Sequence, residues 1–344
     1  MHILAEICTR GRYDTTLPLA VQAVINQTRP PDALLIVDDN PPETRLEKLE
    51  KHPLLDAILA SAGSIVVAEA HGPGKGPHVN HEFARTCPEA KGLIWRVDDD
   101  EVPSPDVLER LEKLLLSDKK IGAAGGLVLS PGMPGVNPYA SSALEDMFWC
   151  KNRQWYRQEA VPFEAGHLHS TYLYRKNAAR YPKGLSAVGH CEETWHTAEM
   201  RRRGFHLWVD PLAVTRHYRQ VNGGIRSQSG DYAGDEAKFR VWLEKNKVRL
   251  RKIVPVIIAQ GLGDCYAGLQ ALPDILKFHK DADEVLVFVR PEQLVAFTQF
   301  AGGKVSVLPA GEMAHYAFKV DANVYAGWDG KGHLVDRYRE KYCR

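Results

Sequence analysis

Short apolar segments recur along the first hundred residues, and polar residues follow each of them directly. Ile3 to Cys8 leads into a glycine-containing polar loop, Ala33 to Val37 is continuously apolar, and Gly92 to Val97 is largely apolar. Helical spacing of apolar residues over Thr16 to Asn26 separates the first two segments, and a second helix is predicted at Glu82 to Cys87. This alternation of strand and helix indicates an α/β fold.

Two of the predicted strands end in aspartates. Asp38 and Asp39 close the second strand, and Asp98, Asp99 and Asp100 close the third. Ligands of open α/β sheets bind at the carboxyl edge, so both sets of carboxylates are candidates for one site. An Asp-x-Asp strand end places its first and third side chains on the same side, where their oxygens suit Mg²⁺ or Mn²⁺. The structural alternatives are an Asx turn and a solvated acidic turn before a helix.

A third acidic pair and a histidine come later in the chain. Glu192 and Glu193 begin a predicted helix, where acidic residues also complement the helix dipole. The segment from Leu207 to Tyr218 is a predicted strand with His217 at its end, and an imidazole there is a candidate metal ligand.

This order of motifs resembles that of the family 2 nucleotide-sugar glycosyltransferases of GT-A fold over residues 1–220. The features that carry the resemblance are Gln27-Thr28-Arg29-Pro30, Val37-Asp38-Asp39-Asn40, the glycine loop Gly72 to Asn80, the Asp98 to Asp100 run, and Glu192-Glu193 followed by Arg201 to Phe205. The departures are small: Pro30 comes one residue early, Pro41 replaces a serine, and Glu193 replaces a commoner aspartate.

The resemblance implies a Rossmann-like mixed sheet with flanking helices and a metal-dependent glycosyltransferase that acts with Mn²⁺ or Mg²⁺. Its donor would be a nucleoside diphosphate sugar, with a UDP-sugar favoured, and its acceptor a hydroxyl of a glycan or surface polysaccharide. Inversion is the expected stereochemistry, with retention as the alternative. The implied nucleotide-sugar-binding residues are Thr9, Arg10, Asp38, Asp39, Lys75, Asn80, Asp98 and Asp99. The implied metal ligands are Asp100, Asp98 and His217, and Glu193 is the implied general base, supported by Glu192.

The hydrophobic pattern restarts after a basic run at Lys245 to Lys252. It predicts strands at Ile253 to Ile258, Glu284 to Val289 and Lys304 to Leu308. Between the first two strands it predicts a glycine loop at Gly261 to Asp264 and a helix at Cys265 to His279. The segment resembles the N-terminal half of a heptosyltransferase-like GT-B domain, without room for the other half. We therefore predict a GT-A catalytic domain at residues 1–245 and a small β-α-β Rossmann-like domain at 251–344. The small domain would have a structural, acceptor-binding or homo-oligomerising role, or would begin a longer chain.

Composition limits the remaining possibilities. The net charge of +1 gives no overall attraction to nucleic acid, although the basic runs leave glycosylation of modified bases in phage DNA as an alternative. No transmembrane span or signal peptide is predicted, and six cysteines without metal-site spacing indicate a reducing cytoplasm. A nucleotidyltransferase or a non-catalytic sugar-nucleotide-binding protein would share the fold and the acidic residues. Candidate acceptor-binding aromatic residues are Phe148, Trp149, Trp155, Tyr156, Phe163, Tyr172 and Tyr174, which core packing would explain equally well.

Overall fold

The structure, a computed structural model, describes residues 1–45, 52–72, 74–129, 162–168, 170–218, 224, 230–248, 253–258, 261–282, 284–310 and 333–343. The described strands form two sheets, and each sheet belongs to a separate compact unit. The first sheet lies within residues 3–217 and the second within residues 253–309. The division between residues 245 and 251 that the sequence suggests stays a prediction.

The described part of the first unit contains nine strands and six helices. The strands are β1 (Ile3–Thr9), β2 (Ala33–Asp38), β3 (Val66–His71), β4 (Leu93–Asp98), β5 (Glu101–Pro103), β6 (Ile121–Leu129), β7 (Phe163–Glu164), β8 (Tyr172–Arg175) and β9 (His206–His217). The helices are α1 (Leu17–Ile25), α2 (Pro53–Ala60), α3 (Pro77–Thr86), α4 (Val107–Ser117), α5 (Glu192–Arg202) and α6 (Tyr232–Lys245). Helix α3 begins five residues before the predicted start, because Pro77 occupies its first turn, where proline is well tolerated.

The sheet is mixed, with the order β3-β2-β1-β4-β8-β6-β9-β5, and β7 also pairs with β9. Strands β1 to β4 pair in parallel, whereas β8 is antiparallel to both β4 and β6. The ends of β1, β2 and β4 therefore meet at one edge of the sheet, as expected for the parallel half of such a fold. The predicted mixed α/β sheet with flanking helices is confirmed.

Alternate residues of β1 face opposite sides of the sheet. Ala5 and Ile7 join the main apolar core, to which α1, α2 and α4 contribute. Glu6 and Cys8 point to the other face, where they contact His81 of α3. Period-two alternation in a strand buried on both faces thus places a polar layer directly behind the strand ends.

Strands β6 and β9 pair in parallel but change register at Gly126. Gly126 pairs with Asp210 and the next residue, Leu127, pairs with Val214, so three residues of β9 bulge out between these two pairs. A β-carbon at Gly126 would overlap the backbone carbonyl of Ala213 in this bulge. Glycine is therefore needed here for close approach of two backbones.

The second unit contains three parallel strands in the order β10-β11-β12 within its described residues. Its elements are β10 (Ile253–Ile258), α7 (Leu262–Phe278), β11 (Glu284–Val289), α8 (Leu294–Phe297), β12 (Val305–Pro309) and α9 (Leu334–Tyr342). The predicted small β-α-β unit is confirmed. The predicted glycine loop from Gly261 to Asp264 is wrong, because α7 already begins at Leu262. Asp264 lies buried in the first turn of this helix, where it accepts hydrogen bonds from the Gly261 backbone at 3.1 Å and the Tyr338 hydroxyl at 2.9 Å.

Within the part of the chain that the structure describes, no helix combines the length and apolar character that crossing a bilayer requires.

Candidate active site

The strand register brings the first two predicted acidic groups together. Thr9 at the end of β1 pairs with Asp38 of β2, and Cys8 pairs with Asp98 of β4. The Asp39 backbone N–H also donates to the Thr9 carbonyl at 2.9 Å. The carboxylates that follow β2 and β4 therefore flank the loop that follows β1.

Asp38 closes β2 and is buried at the end of the strand. Its Oδ1 accepts hydrogen bonds from the Asn40 backbone at 2.9 Å and from the Asn40 amide at 2.7 Å, so the Asx turn considered as an alternative is formed. Its Oδ2 lies 3.5 Å from Nδ1 of the half-exposed His71. The turn uses only one oxygen of Asp38, and the second oxygen is oriented away from it.

Asp39 lies between a charged and an amide side chain. Arg10 Nη1 is 3.5 Å from its Oδ2. Burial raises the pKa of Asp39, and the neighbouring Asn80 amide opposes this shift. Both amide atoms of Asn80 are buried without a well-formed hydrogen bond to the described residues, and Gly72 packs against them too closely to carry a side chain. Lys75, in contrast, is exposed in the loop before α3.

Asp98, Asp99 and Asp100, here called the acidic cluster, point to three different sets of partners. Asp99 holds the loop after β1, because its Oδ2 accepts from Thr9 Oγ1 at 2.8 Å and from the Arg10 backbone at 3.2 Å. Its other oxygen pairs with Arg12. Burial raises the pKa of Asp99 to about 6, although Arg12 lowers it. Asp99 thus anchors this loop, and its role in nucleotide binding stays a prediction.

Asp100 lies against the end of β9. Its Oδ2 is 3.2 Å from His217 Nε2 and 3.1 Å from Arg12 Nη2. The Tyr218 backbone N–H donates to the Asp100 carbonyl at 2.8 Å, which fixes the strand end beside the acidic cluster. His217 Nδ1 is buried and has no hydrogen-bond partner among the described residues. The structure therefore brings together Asp100 and His217, two of the three predicted metal ligands.

Asp98 faces a buried arginine that sequence reasoning did not identify. Arg96 Nη2 lies 3.2 Å from Asp98 Oδ1 and 2.6 Å from Glu192 Oε1, and its Nη1 donates to Glu192 Oε2 at 2.9 Å. Arg96 and Glu192 are each only 3% exposed, whereas the Asp98 side chain is 31% exposed. A single buried guanidinium thus joins β4 to the first turn of α5.

The start of α5 carries the third acidic pair. Cys191 precedes the helix with φ of 65°, a left-handed conformation that is uncommon outside glycine. Asp235 of α6 holds the preceding loop, since it accepts from the Ser186 backbone at 2.7 Å and the His190 backbone at 3.0 Å. Glu192 is buried and Glu193 is half-buried. Burial raises the pKa of Glu192, and the ion pair with Arg96 opposes this shift.

A buried polar layer lies behind these residues. His81 Nδ1 is 3.4 Å from both Cys8 Sγ and Glu6 Oε1, and within the described residues this trio gathers its potential ligand atoms within 4.8 Å of one another. Burial raises the pKa of Glu6 to about 8 and that of the Cys8 thiol well above its usual value, and it lowers the pKa of His81. The alternation of Glu6 and Cys8 in an apolar strand was the sequence signal for this layer.

Two of the candidate acceptor-binding aromatics form part of the core. Tyr172 and Tyr174 are fully buried, and the Tyr172 hydroxyl lies 2.8 Å from Nδ1 of His196. Core packing therefore explains both. The remaining candidates, Phe148, Trp149, Trp155, Tyr156 and the Phe163 side chain, lie outside the described residues.

Solved structures with a similar fold include two glycosyltransferases. The solved structure of GalNAc-T7 with UDP, GalNAc and Mn²⁺ superimposes with a TM-score of 0.54 at 14% identity, covering 72% of this chain and 49% of that one. Residues 1–349 of S. aureus TarS with UDP-GlcNAc give a TM-score of 0.49 at 13% identity, covering 70% and 66%. This chain thus spans about half the length of the GalNAc-T7 chain.

No curated protein sequence matches this chain. The family model named Glycosyl transferase family 2 matches residues 7–178, which is half of the 344 residues and includes β2, β4 and the acidic cluster. The chain therefore belongs to glycosyl transferase family 2.

Proposed function

We propose that this family 2 glycosyltransferase is metal-dependent and transfers a sugar from a UDP-sugar to an acceptor hydroxyl with inversion. The observation that carries the proposal is that Asp38, Asp98 and Asp100 lie at one edge of the sheet. His217 is hydrogen-bonded to Asp100, and Arg96 links Asp98 to the start of α5. Carboxylate oxygens, the His217 imidazole and the first turn of α5 therefore lie at the same edge of the sheet.

The nucleoside would bind between the loop after β1 and the start of α3. Asp38 Oδ2 and Asp39 can accept hydrogen bonds from ribose hydroxyls or from a base N–H. Asn80 has a buried amide without a well-formed protein hydrogen bond, and a base edge would satisfy its donor and acceptor at once. Thr9 and Arg10 hold the loop beside Asp39 and Asp99, and exposed Lys75 would approach the diphosphate from the rim.

A divalent ion fits Asp100 and His217. The 3.2 Å between Asp100 Oδ2 and His217 Nε2 suits two ligands of one ion. The imidazole favours Mn²⁺ over Mg²⁺, which prefers oxygen ligands, and Asp98 is the candidate third protein ligand. When bound, the ion would neutralise charge that develops on the leaving diphosphate.

Glu193 is the proposed general base. It lies in the first turn of α5 and is half-buried, so its carboxylate can reach an acceptor hydroxyl, whereas the adjacent Glu192 is buried against Arg96. A base positioned to deprotonate the acceptor on the face opposite the leaving group would give inversion. Glu192 would hold the start of α5 in place rather than take the proton.

The test compares Glu193→Gln with Glu192→Gln in a turnover assay over a panel of UDP-sugars. Glu193→Gln cannot accept a proton, so we expect the turnover rate to fall by roughly 10²–10⁴-fold while UDP affinity and thermal stability stay close to wild type. Glu192→Gln weakens a buried ion pair, so it should mainly lower thermal stability.

A larger loss of turnover in Glu192→Gln would move the base to that residue. Release of UDP from the donor identifies glycosyl transfer, whereas pyrophosphate released from a nucleoside triphosphate would identify a nucleotidyltransferase. Binding of UDP with Mn²⁺ but without turnover across the panel would favour a non-catalytic protein. The acceptor, the cytoplasmic location and the heptosyltransferase-like resemblance of residues 251–344 stay predictions.

A further inference from the structure

A buried arginine holds two carboxylates of the acidic cluster. Arg12 follows β1, and its side chain is 9% exposed. Its Nη1 pairs with Asp99 Oδ1, and its Nη2 lies 3.1 Å from Asp100 Oδ2. His217 Nε2 contacts that same Asp100 oxygen at 3.2 Å. The guanidinium therefore shares its anionic partner with the histidine of the proposed metal site.

The surroundings of Arg12 hold it in this position. Asp99, its other partner, is fixed by Thr9 Oγ1 and the Arg10 backbone. Gly224 packs against the guanidinium so closely that a β-carbon there would overlap it, and the Gly224 N–H donates to the Arg10 carbonyl at 3.1 Å. Burial alone would lower the pKa of Arg12, but Asp99 and Asp100 together raise it, so the charge is retained. A fixed positive charge therefore lies beside Asp100.

A divalent ion and this guanidinium oppose each other electrostatically at Asp100. An ion bound by Asp100 Oδ2 and His217 would lie within a few ångströms of a buried like charge, where water screens the repulsion poorly. Guanidinium groups also bind phosphate oxygens through paired N–H donors, and the diphosphate of a donor would offer such oxygens. Phosphate oxygens of the donor would therefore replace Asp100 as hydrogen-bond acceptors for Arg12.

We propose that Arg12 is the resident cation of the acidic cluster and competes with the divalent ion for Asp100, so that the ion binds tightly only together with the nucleoside diphosphate. This inference rests on the metal site of the proposed function. It assigns Arg12 a role that couples metal binding to donor binding, which neither carboxylate provides alone.

The test measures Mn²⁺ affinity by electron paramagnetic resonance, with and without UDP, for wild type, Arg12→Met and Arg29→Met. Without UDP, Arg12→Met should bind Mn²⁺ at least about tenfold more tightly than wild type, and added UDP should tighten its binding less. Arg29→Met is the matched control, because Arg29 belongs to the same unit and carries the same charge but pairs with Asp32 and Glu112. Its Mn²⁺ affinity without UDP should stay within about twofold of wild type.

Arg12→Lys keeps the charge but lacks the planar guanidinium that contacts Asp99 and Asp100 through separate nitrogens, so its Mn²⁺ affinity should lie between those of wild type and Arg12→Met. It also carries the test if Arg12→Met does not fold by circular dichroism. Unchanged or weaker Mn²⁺ binding in the Arg12 variants, or an equal gain in Mn²⁺ affinity in Arg29→Met, would overturn the inference while leaving the metal site in place. If no folded variant binds Mn²⁺ even with UDP, the inference and the metal site are both wrong.

Discussion

The four neighbouring acidic residues 98–101 have different roles because each side chain contacts different partners. Asp99 anchors the loop after β1, Asp100 meets His217, and Asp98 is the most exposed and contacts Arg96. Glu101 is buried and accepts hydrogen bonds from Ser170 and Thr171. The chemical equivalence of these carboxylates in the sequence therefore disappears in the fold.

Asp100→Ala is the most direct test of the metal ligands. Because this change removes the oxygen shared with His217, we expect loss of measurable glycosyl transfer and a decrease in UDP affinity that is large with Mn²⁺ and small without it. Isothermal titration with UDP, in the presence and absence of Mn²⁺, measures the difference. Wild-type turnover by this variant, or full activity of the native enzyme in excess chelator, would rule out the proposed metal dependence.

The buried carboxyl of Glu6 should make stability depend on pH. Its pKa is raised by burial from 4.5 to about 8, so the folded protein holds this proton more strongly than the unfolded chain does. The contribution of this proton to the free energy of unfolding is fully present below pH 4.5 and is lost as the pH rises through about 8.

Glu6→Gln cannot lose this proton, so at pH 8.5 it should be more stable than wild type by about 1–3 kcal/mol, with a smaller difference at pH 5. Urea unfolding at several pH values measures this change. Glu192 shifts in the same direction, so a shallower slope should remain in the variant. Glu43→Gln, at an exposed position, is the control. If the free energy of unfolding changes with pH equally in Glu6→Gln and wild type, the raised pKa of Glu6 is not the cause of the pH dependence.

At the scale of elements, the apolar pattern predicted β1, β2, β4 and α1 because each is signalled by residues close in sequence. The pairing of β8 between β4 and β6 was not predictable in this way, since it depends on contacts across the chain. The same distinction between local and long-range contacts decides which site residues could be predicted. The strand-end acids were found from local sequence, but Arg12 meets Asp99 across 87 positions and Arg96 meets Glu192 across 96.

Arg96 ties the strand of the acidic cluster to the helix of the proposed base. Arg96→Met should leave Glu192 buried without its cation and cost about 3–5 kcal/mol of unfolding free energy. The double variant Arg96→Met with Glu192→Gln removes both charges, so it should recover part of that loss. Urea unfolding of the two single variants and the double variant gives the coupling energy. Additive losses would show that the two side chains act independently.

At the scale of the whole molecule, the proposed donor-site residues from Thr9 to His217 lie in the first unit. Deleting residues 251–344 should therefore leave UDP affinity in the presence of Mn²⁺ within a fewfold of the full chain, whereas acceptor use or oligomeric state is free to change. Titration calorimetry and light scattering measure both properties. A truncated protein that is folded by circular dichroism but does not bind UDP would show that the second unit contributes to the donor site.

The close approach at Gly126 has a consequence for sequence variation among relatives of this chain. A side chain at that position and the bulge of β9 around Ala213 exclude each other sterically, although the two segments are far apart in the chain. A relative can acquire a larger residue at the first position only if it shortens or reshapes the second. The two positions should therefore covary, and their joint pattern would identify the chains that keep this β6–β9 register.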